Sequence, residues 1–548
     1  MADELTDYLL EHGPLMSGDL AAALSKLHGI SASAARKRIE RRSGSIRALD
    51  LQFSRGAQFL YVAGQYGSPK FWRKLAEALV SSNGAYARAI WALSARGGVI
   101  PLTSFASAAG ASSGLRQLSG EAVYGRLVST GLLQELEIPG LGACIAFGKG
   151  EAYIDELLPP VRARLVAETI LLQSVQEWAA KLGLGSFHSF KLRSDVPGLV
   201  PTVASFEWDL SAPSFLGPLA TWSNTDKPKP GFVVVDVLLT DEVGADDVRP
   251  FIYKCVSLRQ LRGVGRCLQF FVAHRYSKDA LDMIRRAGIV PATPESLFGT
   301  EVARALMDLV STLTQSATHA VDPEKFTELF ERLGKVEGAA GTLRGALFEF
   351  VVADVVRKTT PNVDITMNKI YREGGKDVAE VDVRAVVKDR EIRFIECKGL
   401  IPGNLLSDKD VDDWLTKRIP LVRRHTLQNA EYHRYKLKFE LWLTGKLSPE
   451  AEMKILLAQQ TIGTQKYTIE VVYADGLERM VRETNDSSLL KVVSQHFLKH
   501  PLAFLGDAVN QLVKRQILQN PFGFDVMPEE VYSASGLLGQ SLSALPSK

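Results

Sequence analysis

The chain has 548 residues, a formal charge of +3, and 46% hydrophobic against 23% charged residues. That is too long for one hydrophobic core and ordinary for globular protein, so about three to five domains are expected. So small a charge excludes a chain-wide nucleic-acid field and leaves room only for local basic patches.

The four cysteines, Cys144, Cys255, Cys267 and Cys397, show no CxxC spacing, so neither a zinc site nor a disulfide framework is read. The first residues are acidic and amphipathic rather than signal-like, and no run of 18 apolar residues occurs. A cytoplasmic protein with no membrane partner is expected.

Residues 1–66 read as three helices and a hairpin. Leu5, Leu9 and Leu10 keep helical spacing, Ser17-Gly18-Asp19 caps a second helix at 20–27, and Ser31 caps a third. That third helix carries Arg36, Lys37, Arg38, Arg41 and Arg42, and strands are predicted at 46–53 and 59–62. The plan resembles a winged helix-turn-helix, which implies that the basic helix contacts DNA; a solvated basic face on a packing module is the alternative. Residues 67–152 repeat the plan, with helices at 71–80, 85–93, 102–108 and 121–130 and a hairpin over 132–147. Here the third helix offers only Arg126 against Glu121, so a structural role is expected.

Residues 153–315 read as α/β: a helix at 161–182, strands at 205–210, 232–239, 250–256 and 268–273, then a helix at 277–287 leading into Gly288-Ile289-Val290. A Pro- and Gly-rich loop fills 213–231, and the polar stretch 315–340 reads as a connector. A second α/β block runs over 341–480. The tail, 481–548, opens with helices at 488–498 and 503–519 and ends in a Ser/Gly/Leu-rich segment expected to be mobile.

The chemistry concentrates in 341–400. The helix Ala346-Leu-Phe-Glu349-Phe-Val-Val-Ala353 is apolar except for Glu349, whose i−4 and i+4 neighbours are Gly345 and Ala353 and offer no ion pair. Next comes the strand 378–387, with Glu380, Asp382 and Arg384 on one face. After a charged turn, the return strand 392–398 puts Glu396 and Lys398 on a shared face. Two carboxylates on neighbouring strands suit a hard divalent cation, and a lysine two residues on can orient a water or offset transition-state charge.

Helix-Glu, strand-Asp, then Glu-x-Lys, on an α-β-β-β-α-β layout of about 130 residues, resembles the PD-(D/E)XK nuclease superfamily, the restriction-endonuclease-like fold. The resemblance implies Mg²⁺- or Mn²⁺-dependent phosphodiester hydrolysis. Asp382 and Glu396 would be metal ligands, Lys398 the water-positioning cation, and Glu349 an accessory ligand or lysine partner. The preceding block reads as a damaged copy. Val234-Val-Asp236-Val-Leu238 resembles the strand around Asp382, and Phe251-Ile-Tyr-Lys-Cys255 resembles 394–398, with Ile252 in place of the second acid and Lys254 in place of the lysine. Glu168 or Glu177 would be the helical acid; an unrelated α/β domain is the alternative. His274 and Arg275, near a strand end, are further phosphate candidates or plain surface residues. Lys417, Arg418, Arg423, Arg424 and His425, on the helix after the active strands, either face the DNA backbone or form a solvated face.

The expected architecture is therefore multidomain. N-terminal winged-helix α+β modules (1–66 and 67–152) precede two α/β restriction-endonuclease-like domains, the first degenerate (153–315) and the second the nuclease (316–480), followed by a helical C-terminal tail (481–548). The expected function is an Mg²⁺-dependent DNA endonuclease, in restriction, anti-phage defence or DNA repair by analogy alone. A DNA-binding regulator or scaffold with silent nuclease folds, and an RNA nuclease, are the alternatives. Beyond DNA, the reading leaves room for a homodimer and for a partner ATPase or other defence subunit.

Overall fold

The computed structural model describes residues 2–499 except 43, 52, 54–55, 83, 115–117, 149–150, 194–199, 222–228, 262–263, 316–321, 335–338, 374–376 and 463–466. Contacts divide the chain into residues 1–498 and 499–548. The helix expected at 503–519 and the Ser/Gly/Leu-rich end lie outside the described residues. No helix among those described is long and apolar enough to cross a membrane.

The first region comprises α1 (Ala2–His12), β1 (Leu15–Met16), α2 (Ser17–His28), α3 (Ala32–Glu40), β2 (Ile46–Ala48) and β3 (Phe59–Val62). Ser31 accepts from the Ala34 N–H and starts α3. Leu5, Leu9, Leu20, Leu24 and Ile39 meet in one small core over a sheet ordered β1-β3-β2. The second region is α4 (Pro69–Ser81), α5 (Ala85–Ala95), β4 (Val99–Pro101), α6 (Leu102–Ala108), α7 (Gly120–Ser129), β5 (Leu133–Ile138) and β6 (Gly142–Phe147). Its sheet runs β4-β6-β5.

The helix predicted at 161–182 begins earlier, as α8 (Glu151–Lys181), and carries Pro159 and Pro160. It leads into β7 (Lys191–Leu192), a short hairpin of β8 (Thr202–Val203) and β9 (Phe206–Glu207), and then β10 (Leu210–Ser214) and β11 (Gly231–Leu238). The strand expected at 205–210 is thus split, and its end belongs to β10. The strand expected at 250–256 does not form; that segment lies in α9 (Ala245–Arg259). Val248, Phe251, Cys255 and Leu258 recur at helical spacing and are buried together, which overrides the β-branched and aromatic run that reads as a strand. The alignment of Ile252 and Lys254 with Glu396 and Lys398 falls with it. The region closes with β12 (Cys267–Ala273), α10 (Lys278–Arg286) and β13 (Val290–Ala292).

Next come α11 (Pro294–Phe298), α12 (Thr300–Gln315) and α13 (Pro323–Leu333). The stretch read as a polar connector therefore contains a packed helix. Phe326, Leu329, Phe330 and Leu333 lie on its apolar stripe and enter the main core, while its polar residues, which dominate the composition, face out.

The last α/β region is α14 (Ala339–Thr359), β14 (Val363–Glu373), β15 (Asp377–Val387), β16 (Glu391–Lys398), α15 (Asp408–Asp413), a π-helical turn at Trp414–Arg418, α16 (Ile419–Leu427), β17 (Lys436–Leu443), α17 (Pro449–Thr461) and β18 (Tyr467–Val472). It is followed by α18 (Ala474–Glu483), α19 (Ser487–Val492) and a π-helical turn at Val493–Leu498. The two larger sheets share one plan. In the order β14-β15-β16-β17-β18, the first three strands are antiparallel and the last three parallel. In the order β7-β10-β11-β12-β13 the same holds. The chain is thus multidomain, of mixed α/β content, with several small sheets and many helices.

Candidate functional site

The four residues singled out from the sequence line one cleft of about 660 Å³, together with Arg162, Asn368, Glu380 and Arg418. Antiparallel pairing of β15 with β16 sets this up. Asp382 lies across from Glu396, one step past the Val383–Ile395 pair. The Cys397 N–H donates to Asp382 Oδ2 at 2.6 Å, and Lys398 Nζ donates to Glu396 Oε1 at 2.8 Å. Glu349 comes from α14, which packs over the end of β16. A Cβ at Gly399 would sit 2.5 Å from Arg344 O and 2.6 Å from Phe348 Cβ, so only glycine lets helix and strand approach this closely.

Burial and crowding of like charge govern the site. Asp382 is pushed well above the usual carboxylate range by burial and then by the charges of Glu396 and Glu349. Glu349 is pushed up to about 7, again by burial first and then by Glu380. Burial also disfavours ionisation of Glu396, but Lys398 and Arg418 outweigh it and hold this carboxyl below its usual value. For Lys398, burial is outweighed by Glu396 and Asp382, so the ammonium keeps its proton.

Three further side chains at the cleft were not placed there by the sequence reading. Arg162, from α8, grips Glu380 through its two terminal guanidinium nitrogens, one at 3.0 Å, and donates to Pro139 O at 2.9 Å. Arg418, read from the sequence as facing either the DNA backbone or solvent, ion-pairs with Glu396. Asn368 borders the same cleft from β14. No local pattern marks Arg162, because it reaches the site from a region about 200 residues away in sequence.

The preceding sheet carries a matching set of acids. Leu210 pairs with Val235 as Val383 pairs with Ile395, which superimposes Asp209 on Asp382, Asp236 on Glu396 and Leu238 on Lys398. The Val237 N–H donates to Asp209 Oδ2 at 2.9 Å, as the Cys397 N–H does to Asp382. Of the two helical acids proposed, Glu168 is the one turned inward; Glu177 pairs with Lys181. Glu168 accepts from Arg164 at 2.9 Å, Arg193 at 2.7 Å and the Leu239 N–H at 3.0 Å. Burial opposes its ionisation, yet Arg164, Arg193 and Arg96 bring it down to about 2. Lys254, fully buried, ion-pairs with Asp236 and donates to Ser107 Oγ at 3.1 Å and Glu207 O at 2.8 Å. The signal that finds this alignment, Asp209 followed 27 residues later by Asp236-Val237-Leu238, is hidden by the long β10–β11 loop.

The remaining predicted contacts are dispersed. On α3, Arg36, Lys37 and Arg41 are exposed, whereas Arg38 pairs with Glu4 at 3.3 Å and Arg42 bonds Ile39 O at 3.5 Å. Lys417 pairs with Asp413 and Arg424 with Glu373 at 2.7 Å; Arg423 lies over the Tyr467 ring and His425 against Tyr371. Arg275 pairs with Glu242 at 3.1 Å; His274, beside it, is partly exposed.

The donor set at the cleft fits a hard divalent cation, because carboxylates that raise one another's pKa are relieved by positive charge between them. As the side chains stand, Glu396 is taken up by Lys398 and Arg418 and Glu380 by Arg162. Among the described residues no group of three or more His, Cys, Asp or Glu is arranged around a metal position.

No protein-family model matches the chain, and no curated protein matches it. Among solved structures, a crystal structure of protein of unknown function AF1548 aligns with 28% of this chain and 79% of that one, at 16% identity and a TM-score of 0.17. That likeness is too slight to carry an argument.

Proposed function

We propose that the last α/β region is a nuclease module of the restriction-endonuclease-like type that hydrolyses DNA phosphodiester bonds with Mg²⁺ or Mn²⁺. The observation that carries this reading is the gathering of Glu349, Glu380, Asp382 and Glu396 beside Lys398 on one cleft, with burial and then the charges of Glu396 and Glu349 raising the pKa of Asp382. Asp382, Glu396 and Glu349 would hold the cation, which when bound lowers the pKa of a water and polarises a phosphoryl oxygen. Against burial, Glu396 and Asp382 favour the Lys398 ammonium, and its part would be to donate to the attacking water or to a phosphate oxygen and offset charge there. Arg418 holds Glu396 against β16 from the following helix.

The two N-terminal regions are read as winged-helix modules, the first gripping duplex through exposed Arg36, Lys37 and Arg41. The middle sheet is read as a silent copy of the nuclease fold, because Leu238 stands where the lysine is needed and arginines and Lys254 neutralise its acids.

Plasmid cleavage with Mg²⁺ tests the reading. Lys398→Ala and Asp382→Ala are expected to cut roughly 10²–10⁴-fold more slowly than wild type. Equal rates in all three proteins would remove the site from the mechanism. The occupation of Glu380 by Arg162 and of Glu396 by Arg418 favours one second reading, a DNA-binding scaffold whose acids are held by internal cations. Duplex binding without cleavage by any of the three proteins would establish that reading instead.

A further inference from the structure

β14 pairs with β15 through Met367↔Val383 and resumes at Lys369↔Val381. Asn368, between them, falls opposite Asp382 and is left out of the ladder. Its φ is +53°, in the left-handed region. Among the described residues, the other non-glycine positions with positive φ are Ala204, Asn362, Asp389 and Asn485, and each lies between elements rather than within a strand. Asn tolerates this conformation better than most residues. Residues held in sparsely populated backbone conformations cluster at functional sites. The register is unshifted across the gap, so Asn368 keeps the face of Asp382, and it lines the acidic cleft. Its Oδ1 is buried and has no hydrogen-bond partner.

An amide oxygen without a donor, set against carboxylates that repel one another, lacks only positive charge. Hard divalent cations accept amide oxygens alongside carboxylates, and a neutral ligand adds an oxygen without adding a like charge to the buried acids already there. We propose that Asn368 is a further ligand of this site, its carboxamide oxygen binding the same divalent cation as Asp382. The proposal rests on the metal-site reading above and extends it to a residue outside the Glu349, Asp382, Glu396 and Lys398 set.

The alternative is that Asn368 serves the backbone alone. Asn368→Gly separates the two, because glycine adopts the left-handed conformation freely but offers no side-chain oxygen. Mn²⁺ is titrated calorimetrically into the full-length wild type, Asn368→Gly, Asn368→Asp and Asp382→Asn, with a thermal melt of each protein to confirm folding. Asn368→Gly is expected to bind Mn²⁺ about tenfold or more weakly, a loss that even residues one shell removed from a metal commonly cause. Asn368→Asp, which restores an oxygen, is expected to bind at least as tightly as wild type. Wild-type affinity in Asn368→Gly overturns the proposal, as does an Asn368→Asp as weak as Asn368→Gly. In both cases the metal reading survives if Asp382→Asn abolishes uptake. A folded wild type that takes up no Mn²⁺ overturns the metal reading and the Asn368 ligand together.

Discussion

The two larger sheets share strand order, strand direction and the register of their key pair, yet they treat the acid that each receives from its helix in opposite ways. Glu168 is matched by Arg164, Arg193 and Arg96, which hold it down to about 2, and Arg193 also pairs with Asp209; Asp236 pairs with Lys254, though burial still lifts it to about 6. Around Glu349 and Asp382 compensation is incomplete, and both carboxyls are driven up. An acid held by several internal cations, as Glu168 is, has its charge taken up within the fold. An underpaired cluster on an open cleft stores an attraction for positive charge that an external cation can satisfy. One residue position marks the difference most clearly, Leu238 in one sheet and Lys398 in the other. The first is a buried apolar side chain, the second an amine that pairs with Glu396.

The contrast is most easily broken at Lys254. Its removal leaves Asp236 buried and unpaired, so Lys254→Ala is expected to cost about 3–5 kcal/mol in urea unfolding. A loss below about 1 kcal/mol would show that the middle cluster is not locked as described.

The pH dependence gives the next effect, and its sign differs between the two helical acids. Glu349 is raised from the usual 4.5 to about 7, so its contribution to stability is fully present below 4.5 and is lost as pH rises through 7. Without divalent cations, Glu349→Gln is expected to stabilise the protein at pH 8, by roughly 2–3 kcal/mol, and to leave it unchanged near pH 4. Glu168 is lowered to about 2, so its contribution is present above 4.5 and is lost as pH falls toward 2. Glu168→Gln is expected to destabilise by a similar amount at pH 7, with the difference shrinking in acid. Unfolding curves at several pH values in chelator check both; the same sign for the two variants would erase the distinction.

The smallest effect is expected at Arg418, which pairs with Glu396 from the helix after β16 much as Lys254 pairs with Asp236 from the helix after β11. Its side chain is 35% exposed and Lys398 still holds Glu396, so Arg418→Ala is expected to cost about 1 kcal/mol or less. A loss as large as that at Lys254 would mean that the second cluster is sealed like the first.

Local pattern determined a good deal by itself. Period-two alternation placed Asp382, Glu396 and Lys398 on adjoining strands, and the isolation of Glu349 in an apolar helix marked it as needing a partner in space. Most helices of the first 147 residues followed from caps and spacing in the same way, whereas the short strands β1 and β4 were not read and the strand expected at 46–53 ends at Ala48. Period alone misassigned 250–256, because a short apolar run fits either element and only the packing of Phe251 and Leu258 against the sheet decides it for helix. That error also concealed Asp209 as the partner of Asp236. Tertiary structure alone brought Arg162 from α8 to Glu380 and set Asn368 opposite Asp382. Alternation along a chain fixes which side chains share a face. Which charges finally face one another across elements depends on how those faces pack, and that is decided by the whole core at once.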